Sequence, residues 1–576
     1  MRRIPKEFVA LLALLAVMVA LMWRSMRDEV ATQDEPVFLA AGFTYLNGLG
    51  LQIDPEAPPL AKEWSALPLR FMDLKVSARA RSNLDPQWGY PWTRTWGDKD
   101  VPVQAVFPLS RDNWYSRRVS EGNAFGNLFL YDGTNDAEKL LLAGRLMQVA
   151  LTLLTGVVIF LWIRQLAGGK AAVFGTALWV FNPIALGYGD LILTDMGVTL
   201  AILLGVWSFS KLLEEPITAR AILVGLATGG ALLMKFTSVL LIPMYGAMTV
   251  VWWLRRPSSQ RRLDTVCKVV SLAGLVTWVT ILLGYGPYWS LAPPLPAEQA
   301  ARMGVPWWFQ QFRFCLIPAD FFKGLALQIG HSQAGHLGYL WGEWRQTGWW
   351  YYYPSALALK APIPWLILLL IGVFLALKTA RGNFELSHMP WIAAIVYLGF
   401  AMTSSINIGV RHLLPMIALV TVGMATLIGS QSRTVGIGAW LLCGWLAVTT
   451  FLAYPHYLEY FNEFAGGKQN GYRYLLDSNL DWGQDVKPLK QFLEDHHIGH
   501  IYQYYCGADV ILDYYKISNT RVSADQARQL HQGILVVSVH DVMRPEWDWL
   551  RERRHALAHV ADTFFVYDLT PAATRP

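Results

Sequence analysis

The sequence is poor in charge and in cysteine, and it lacks the motifs of soluble nucleotide enzymes. Only 16% of its 576 residues are charged, whereas an ordinary soluble domain has about 25%. Its four cysteines show neither zinc-site nor disulfide-framework spacing, although Cys315 and Cys506 leave one bridge open. The sequence contains no glycine-rich nucleotide loop and no strand-turn-helix serine motif. These absences exclude a soluble nucleotide cradle in the apolar portion and favour a phosphate-linked substrate carried by a lipid.

What the chain has in abundance is apolar and aromatic residues, at 54% hydrophobic with 26 Trp. This composition is typical of a multi-pass membrane protein with aromatic side chains at the membrane interface. The first apolar run, Phe8 to Trp23, follows Arg2, Arg3 and Lys6. A signal peptide begins in the same way, but no small-residue cleavage site follows. We therefore expect an uncleaved first helix, a cytoplasmic N-terminus and integration in a bacterial inner (cell) membrane.

Ten further apolar runs approach the roughly 20 residues that span a bilayer, so the sequence predicts about eleven transmembrane helices. These runs lie near 140–163, 171–187, 195–212, 219–234, 236–254, 267–288, 361–378, 390–405, 411–429 and 434–453. Lysine and arginine concentrate in alternate loops, as the positive-inside rule requires. The net charge of +6 therefore reflects membrane topology, and we expect no nucleic-acid partner.

The remaining segments divide the chain into two predicted domains. Residues 1–455 form the transmembrane domain, with two large extracytoplasmic loops at 24–138 and 289–360. Residues 456–576 carry more charge, a helix-like stretch at 485–497 and strand-like stretches at 501–505, 534–539 and 564–567. The predicted fold class is thus an all-α polytopic membrane protein with a small C-terminal extracytoplasmic α/β domain.

Candidate chemistry begins in the first loop, where adjacent carboxylates follow the first helix. Asp34 and Glu35 open a segment that passes the aromatic Tyr45 and ends in a proline-stiffened turn from Asp54 to Lys62. The turn also contains Glu56, which with Tyr45 is a candidate to line the substrate site. This pattern suits a site in which a carboxylate acts as the base for an acceptor and the lysine binds a phosphate. The alternative is a solvated loop with ordinary charges.

Five other positions fall on the same predicted face of the membrane. Asp195, with Asp190 beside it, starts the fourth span, where a second acid could share the reaction or hold a divalent metal; the alternative is a helix N-cap. Arg411 offers a planar fork of donors for phosphate oxygens, and Lys235 interrupts an apolar stretch nearby. Both cations have the alternative of reaching lipid headgroups. His412 is a candidate lining residue, with a satisfied core histidine as its alternative.

A second metal candidate lies in the C-terminal part, where oxygen-bearing side chains alternate at Asp477, Asn479 and Asp481. This alternation resembles a calcium loop. The glycine comes one position late and the closing glutamate is missing, so turns leading into the following helix explain most of the pattern. No cofactor is certain from the sequence, and metal dependence stays open.

Taken together, the first helix, the Asp34-Glu35 pair, the Asp54-Pro55-Glu56-Ala57-Pro58-Pro59-Leu60-Ala61-Lys62 turn and the Asp195 loop resemble the GT-C-type membrane glycosyltransferases. The chain is similar to the protein O-mannosyltransferase-like group, with the lipid A aminoarabinose transferases as relatives. The resemblance covers roughly residues 1–455. Residues 456–462 and 477–485 are similar to bacterial phospholipid carrier-dependent glycosyltransferases. One departure is Ala57, where protein O-mannosyltransferases have histidine, and it weakens the expectation of a protein acceptor.

The resemblance implies an inverting transfer of a sugar from a polyprenyl-phosphate donor to a hydroxyl or amine of a lipid, glycan or protein acceptor. Asp34 matches the family's candidate base and Lys62 the lysine that meets the donor phosphate, while Glu35 would orient the acceptor or Asp34. Arg411 and Lys235 are expected to help bind the phosphate. One competing interpretation is a lipid-linked-sugar transporter or flippase, although such proteins commonly contain internal repeats and this sequence shows none. The other is a non-catalytic envelope-assembly subunit.

Overall fold

A computed structural model describes residues 5–51, 53–82, 114–255, 263–288, 316–382 and 385–570. The parts of the two predicted loops at 83–113 and 289–315, including Cys315, lie outside the described residues. The described chain is mostly helical, with a small α/β unit near its C-terminal end. This confirms the predicted fold class at that level.

The described α-helices are named α1 to α23 in chain order. In the N-terminal part they are α1 (Lys6–Asp28), α2 (Glu35–Leu46), α3 (Pro59–Ala66), α4 (Ala78–Arg81), α5 (Trp114–Tyr131), α6 (Ala137–Ala167), α7 (Gly169–Val180), α8 (Pro183–Gly189), α9 (Asp195–Glu214), α10 (Thr218–Met234), α11 (Leu241–Arg255) and α12 (Leu263–Tyr285). The second part contains α13 (Ala319–Ala334), α14 (Tyr352–Lys360), α15 (Ile363–Gly382), α16 (Met389–Ala401), α17 (Leu414–Gly429), α18 (Arg433–Ala453), α19 (Val486–Asp495), α20 (Asp509–Tyr514), α21 (Ala524–Gln529), α22 (Val539–Val542) and α23 (Asp548–Arg553).

Eight helical segments in the described part of the chain are long and apolar enough to cross a membrane. The pair α7 and α8 becomes a ninth if its 61° bend is counted within one span, and α10 and the segment Leu386–Ala401 are shorter apolar helices. A helix thus occupies each of the eleven predicted apolar runs. The protein is a multi-pass membrane protein, whereas the count of eleven spans and the direction of insertion stay predictions.

Close helix packing in the bundle depends on small residues. Gly225 and Gly229 of α10 face α12, where an added Cβ would lie 2.5 Å from the Cβ atoms of Val276 and Thr280, respectively. Small residues let membrane helices approach closely, which is how they gain van der Waals contact without a hydrophobic driving force. The helix that follows Arg411, α17, is almost entirely buried between its neighbours, so it fixes the centre of the bundle.

The C-terminal unit is a five-stranded mixed sheet with short helices. The strands are β3 (Ile501–Tyr504), β4 (Asn519–Arg521), β5 (Ile534–Ser538), β6 (Ala558–Val560) and β7 (Phe564–Asp568); a separate hairpin joins β1 (Gly338–Leu340) and β2 (Glu343–Arg345). The strand order of the sheet is β4-β3-β5-β7-β6. In it β4, β3 and β5 pair in parallel, and β5, β7 and β6 pair antiparallel. The sequence predicts β3, β5 and β7, which carry runs of apolar residues, and misses the three-residue strands.

The first loop packs against the bundle through α2 and α3. A side chain at Gly42 of α2 would collide with the backbone carbonyl of Lys62 in α3, so glycine lets the two helices touch. Pro36 of α2 meets Gly126 of α5 in the same way. These contacts hold the Asp34 end of α2 against the helix ends that carry the other candidate residues.

Candidate active site

A cavity of about 760 Å³ opens where the first loop, the helix ends and the C-terminal unit meet. Of the predicted site residues, seven line it: Asp34, Glu56, Asp195, Lys235, Arg411, His412 and Asp477. Its wall is otherwise largely apolar and aromatic, with Phe38, Phe236 and Trp482 among the contributors. A concave site with few convergent polar groups is the usual form of a small-molecule site.

Asp195 is the electrostatic centre of this cavity. Its carboxylate accepts a hydrogen bond from Lys235 Nζ at 2.7 Å and another from Arg411 Nη1 at 3.1 Å. The alternative role as a helix cap does not apply, since neither Thr194 nor Asp195 makes a side-chain cap bond at the described start of α9. One carboxylate thus holds two cations side by side on the cavity wall, where their N–H groups are placed to donate to an anionic ligand.

Asp34 faces Arg411 from the first loop. It immediately precedes α2, its side chain is about one third exposed, and its Oδ2 lies 3.6 Å from Arg411 Nη2. The pKa of Asp34 is raised to about 6, mainly by burial; Arg411 opposes this rise, and the carboxylates of Asp477 and Asp54 contribute to it. A carboxylate with such a pKa is ionised at neutral pH and is still basic enough to accept a proton.

Arg411 is held in place from several sides. Its Nε donates to Ser478 Oγ at 3.2 Å, and its guanidinium lies over the Trp482 ring at 4.3 Å. Its side chain is buried, so the alternative of an arginine reaching lipid headgroups does not describe this structure. His412 is bonded through Nδ1 to the Tyr353 hydroxyl at 2.9 Å, as a satisfied core histidine would be, although it also lines the cavity.

Glu35, next to Asp34, points away from the cavity into a fully buried ion pair. Arg145 of α6 donates to both its oxygens, at 2.9 and 2.7 Å, and the backbone N–H groups of Ile192 and Thr32 add bonds of 3.0 and 2.8 Å. Burial would raise the pKa of Glu35, but Arg145 and these donors outweigh burial and lower it. The structure therefore pairs Glu35 with Arg145 outside the described cavity lining, and its catalytic role stays a prediction.

Lys62 is likewise absent from the described lining of the cavity. Its buried ammonium donates to Asp54 Oδ2 at 3.1 Å, the Asp54 carbonyl at 2.6 Å, the Ala57 carbonyl at 2.7 Å and the Tyr45 hydroxyl at 3.0 Å. Burial lowers the pKa of Lys62, and Asp54 counteracts this. Asp54 has a left-handed backbone with φ of 51°, a conformation uncommon outside glycine. Lys62 thus bonds to its own turn in this structure, and its expected phosphate contact stays a prediction.

The same turn presents Glu56 to the cavity, where it meets α13. Glu56 Oε1 lies 2.6 Å from Nδ1 of His331. Burial would lower the pKa of His331, but the Glu56 carboxylate outweighs burial and raises it. The sequence singled out Glu56 as a lining residue, whereas nothing in the sequence pairs it with a histidine 275 positions away.

Two further predicted site residues lie behind the described cavity wall. Tyr45 is buried beneath the turn, where its hydroxyl bonds to the Ile53 carbonyl and accepts from Lys62. Asp190 is buried, and both of its side-chain oxygens are without a hydrogen-bond partner among the described residues. Neither residue is placed to touch a ligand in the cavity.

The oxygens of the calcium-like stretch are engaged by protein donors. Asp477 Oδ1 accepts from the Ser478 N–H at 2.6 Å, and Asn479 Oδ1 accepts from the Val410 N–H at 2.9 Å. Asp481 accepts from the His540 N–H at 3.1 Å and from the thiol of Cys506, which is a free cysteine. Protein donors thus bond to oxygens of all three side chains, and a metal at this stretch stays a prediction.

Several residues of the cavity and of the buried pair behind Asp34 were not found from the sequence. Arg145 was missed although an arginine inside an apolar run is itself a signal, because charges within membrane helices are rare and are usually paired. His540 and Arg544 of the C-terminal unit also line the cavity. No local pattern marks these two, since only the folded chain brings them over the first loop.

The fold and this cavity define a multi-pass membrane protein with a site lined by charged side chains. Residues 137–282, which include Asp195 and Lys235, match the family model described as dolichyl-phosphate-mannose-protein mannosyltransferase. Over that quarter of the chain, the match confirms the resemblance predicted from the sequence. Among curated protein sequences, none matches the chain.

Two solved structures are similar to this chain, one over almost all of it and the other over half of it. ArnT from Cupriavidus metallidurans bound to undecaprenyl phosphate aligns with 98% of this chain and 99% of its own, at 13% identity and a TM-score of 0.48. The S. cerevisiae protein O-mannosyltransferase Pmt1-Pmt2 complex bound to the sugar donor covers 50% of this chain and 34% of its own, at 17% identity and a TM-score of 0.32.

Proposed function

We propose that this protein is a membrane glycosyltransferase that moves a sugar from a polyprenyl-phosphate donor to an acceptor hydroxyl or amine. The observation that carries the proposal is the placement of Asp34, ionisable near pH 6, beside a carboxylate-linked pair of cations in one cavity. The family match over residues 137–282 supports it, because that segment supplies Asp195 and Lys235.

The proposed reaction is a single displacement at the anomeric carbon. The acceptor oxygen or nitrogen attacks that carbon while Asp34 accepts its proton, and the bond from the anomeric carbon to the phosphate oxygen breaks. The phosphate leaves with the bonding electron pair. Because attack and departure occur on opposite faces, the configuration at the anomeric carbon inverts. A positioned base typically contributes ~10²–10⁴ in rate.

Arg411 and Lys235 are proposed to bind the leaving phosphate. Both cations already share Asp195, so a phosphate entering the cavity exchanges part of that pairing for its own oxygens. Preorganised donors in a low-dielectric site stabilise developing negative charge without reorganising at the moment of reaction. Asp195 then acts as a positioning residue that keeps the two cations together. Lys62, by contrast, is proposed to hold the turn that presents Asp54 and Glu56.

The predicted extracytoplasmic location fits a donor whose lipid remains in the bilayer while its sugar enters the cavity. A membrane-held donor and a bound acceptor lose less translational freedom on reacting, which lowers the barrier. His540 and Arg544 place the C-terminal unit on the wall of the cavity, and we propose that this unit contacts the acceptor. We likewise propose that the transmembrane domain ends at residue 455 and that the extracytoplasmic domain comprises residues 456–576.

The test is transfer by the purified protein in lipid nanodiscs, with a panel of synthetic short-chain polyprenyl-phosphate sugars and measurement of released polyprenyl phosphate. We expect at least one donor to turn over, and Asp34→Asn to lower that rate at least 100-fold. Asp73→Asn is the matched control, because Asp73 is exposed in the same loop. No release by wild type from any donor, together with net movement of the donor between leaflets, would favour the transporter instead.

A further inference from the structure

A second polar cluster lies behind the described cavity wall, at the end of the first helix. Glu29 follows α1, and His456 and Glu459 follow α18, more than 400 positions away. One potential ligand atom from each of the three side chains lies within 4.8 Å of the other two. Both glutamates are buried and His456 is partly exposed. None of the three lines the cavity that holds Asp34.

The carboxylates of this region are incompletely satisfied. Glu459 Oε1 accepts from Gln484 Nε2 at 2.5 Å, but its buried Oε2 has no hydrogen-bond partner among the described residues. The same is true of Asp485 Oδ1. Glu29 receives a bond from Ser25 Oγ at 3.0 Å. Buried carboxylate oxygens without a donor are costly, because they lose water without a replacement.

The neighbouring cations are already engaged elsewhere. Arg145 donates to Glu35 and to three backbone carbonyls, including that of Glu29. Lys360 donates to the carbonyls of Leu458 and Asn479, at 2.7 and 2.6 Å. Since neither side chain bonds the open oxygen of Glu459, the described residues leave a place for a further positive charge.

We propose that Glu29, His456 and Glu459 bind a divalent transition-metal cation, with Zn²⁺ as the best fit. Zn²⁺ takes imidazole nitrogen and carboxylate oxygen together, at about 2.0–2.2 Å, whereas Ca²⁺ and Mg²⁺ prefer oxygen alone. Ligand atoms up to 4.8 Å apart reach such a metal after modest side-chain rotation. The partial exposure of His456 provides the route by which the ion enters.

The proposed ion would join the first helix to the chain that follows the last one. The segment after Glu29 is already paired with that region, since Val30 N–H donates to the Gln484 carbonyl at 2.9 Å and Gln33 N–H to the Trp482 carbonyl at 3.0 Å. The ion would therefore anchor the residues that lead into Asp34. Only this consequence for Asp34 rests on the proposed function; the binding of the ion does not.

The test uses the full-length protein in detergent, stripped with a chelator and then titrated with Zn²⁺. We expect one tightly bound equivalent, measured by elemental mass spectrometry after gel filtration, and a higher Tm that the chelator reverses. Mn²⁺ should bind more weakly, and Ca²⁺ should have no effect on Tm. His456→Gln and Glu459→Gln should each weaken Zn²⁺ binding at least tenfold and abolish the rise in Tm.

Two control variants make the result decisive. Asp28→Asn removes a half-exposed acid adjacent to Glu29 and should keep full binding. His331→Gln removes the imidazole that meets Glu56 and should also keep it. Zinc retained by His456→Gln but lost from His331→Gln would overturn the proposal, as would a wild-type protein that binds no equivalent. Binding is measured without donor, so its failure is distinguishable from a failure of sugar transfer.

Discussion

Replacing Glu35 with glutamine tests our proposal that this buried carboxylate serves the fold while Asp34 beside it serves the reaction. Glu35 and Arg145 are both 0% exposed, and two backbone donors complete the shell of Glu35. In Glu35→Gln one oxygen becomes an NH₂ group that faces donors, and Arg145 keeps an uncompensated charge. Removing one partner of a buried pair costs about 3–5 kcal/mol.

That loss should lower Tm by roughly 3–10 °C, since the shift per kcal/mol falls as a chain becomes longer. The assay is thermal unfolding of the purified protein in detergent, with Arg145→Met and the double variant completing a cycle. We expect the double variant to be less destabilised than the sum of the two single variants, because it leaves no unpaired charge. Because its pKa is lowered below the ordinary value of 4.5, Glu35 is ionised at every pH above that value. The loss of Tm in Glu35→Gln should therefore persist from pH 5 to 8.

The result that would refute this reasoning is specific. If Glu35→Gln keeps the wild-type Tm but loses sugar transfer as Asp34→Asn does, the buried pair is not what Glu35 provides. Glu35 would then act in the reaction, as the sequence alone suggests, and the contact with Arg145 would be incidental.

Three other predictions follow from the same contacts. Arg411→Gln should weaken donor binding about 10- to 100-fold, as expected for a lost charged hydrogen bond, and should move the acidic limb of the rate profile to higher pH, because Arg411 lowers the pKa of Asp34; a limb moved to lower pH would contradict this. Lys62→Met should lower Tm, whereas donor affinity should change less than about threefold, which corresponds to about 0.6 kcal/mol of binding free energy. A large loss of donor affinity at unchanged Tm would instead support a phosphate contact by Lys62. His331→Gln should cost stability mainly at low pH, because Glu56 raises the pKa of His331. The stability that the protonated histidine contributes is complete below its ordinary pKa of 6.5 and is lost as pH rises through the raised value. Equal Tm differences between wild type and variant at pH 5.5 and 8.5 would exclude that pairing.

The positions that sequence reasoning placed well are those where topology alone brings residues together. Asp34 follows the first apolar run, and Asp195 and Arg411 begin later ones. Because alternate helix ends lie on the same side of a membrane, counting spans suffices to bring these groups to one face. Their convergence on one cavity required no knowledge of side-chain direction.

What the sequence could not give is the direction of individual side chains. Asp34 and Glu35 are neighbours at the start of α2, and successive residues there point about 100° apart, so only one faces the cavity. Arg145, 110 positions away, bonds to Glu35 and so holds Glu35 away from the cavity. The bonds of Lys62 were not predictable for another reason, since its acceptors include two backbone carbonyls and a tyrosine hydroxyl, which no residue pattern reveals.

The central claim, that Asp34 is the base in transfer from a polyprenyl-phosphate sugar, is tested most directly by the pH dependence of kcat/KM in nanodiscs with a donor that the wild type uses. The account predicts a rate that rises with pH and levels off above about 6, the pKa of Asp34, and a residual rate in Asp34→Asn at least 100-fold lower without that limb. Transfer by Asp34→Asn at the wild-type rate, with the same acidic limb, would contradict the account.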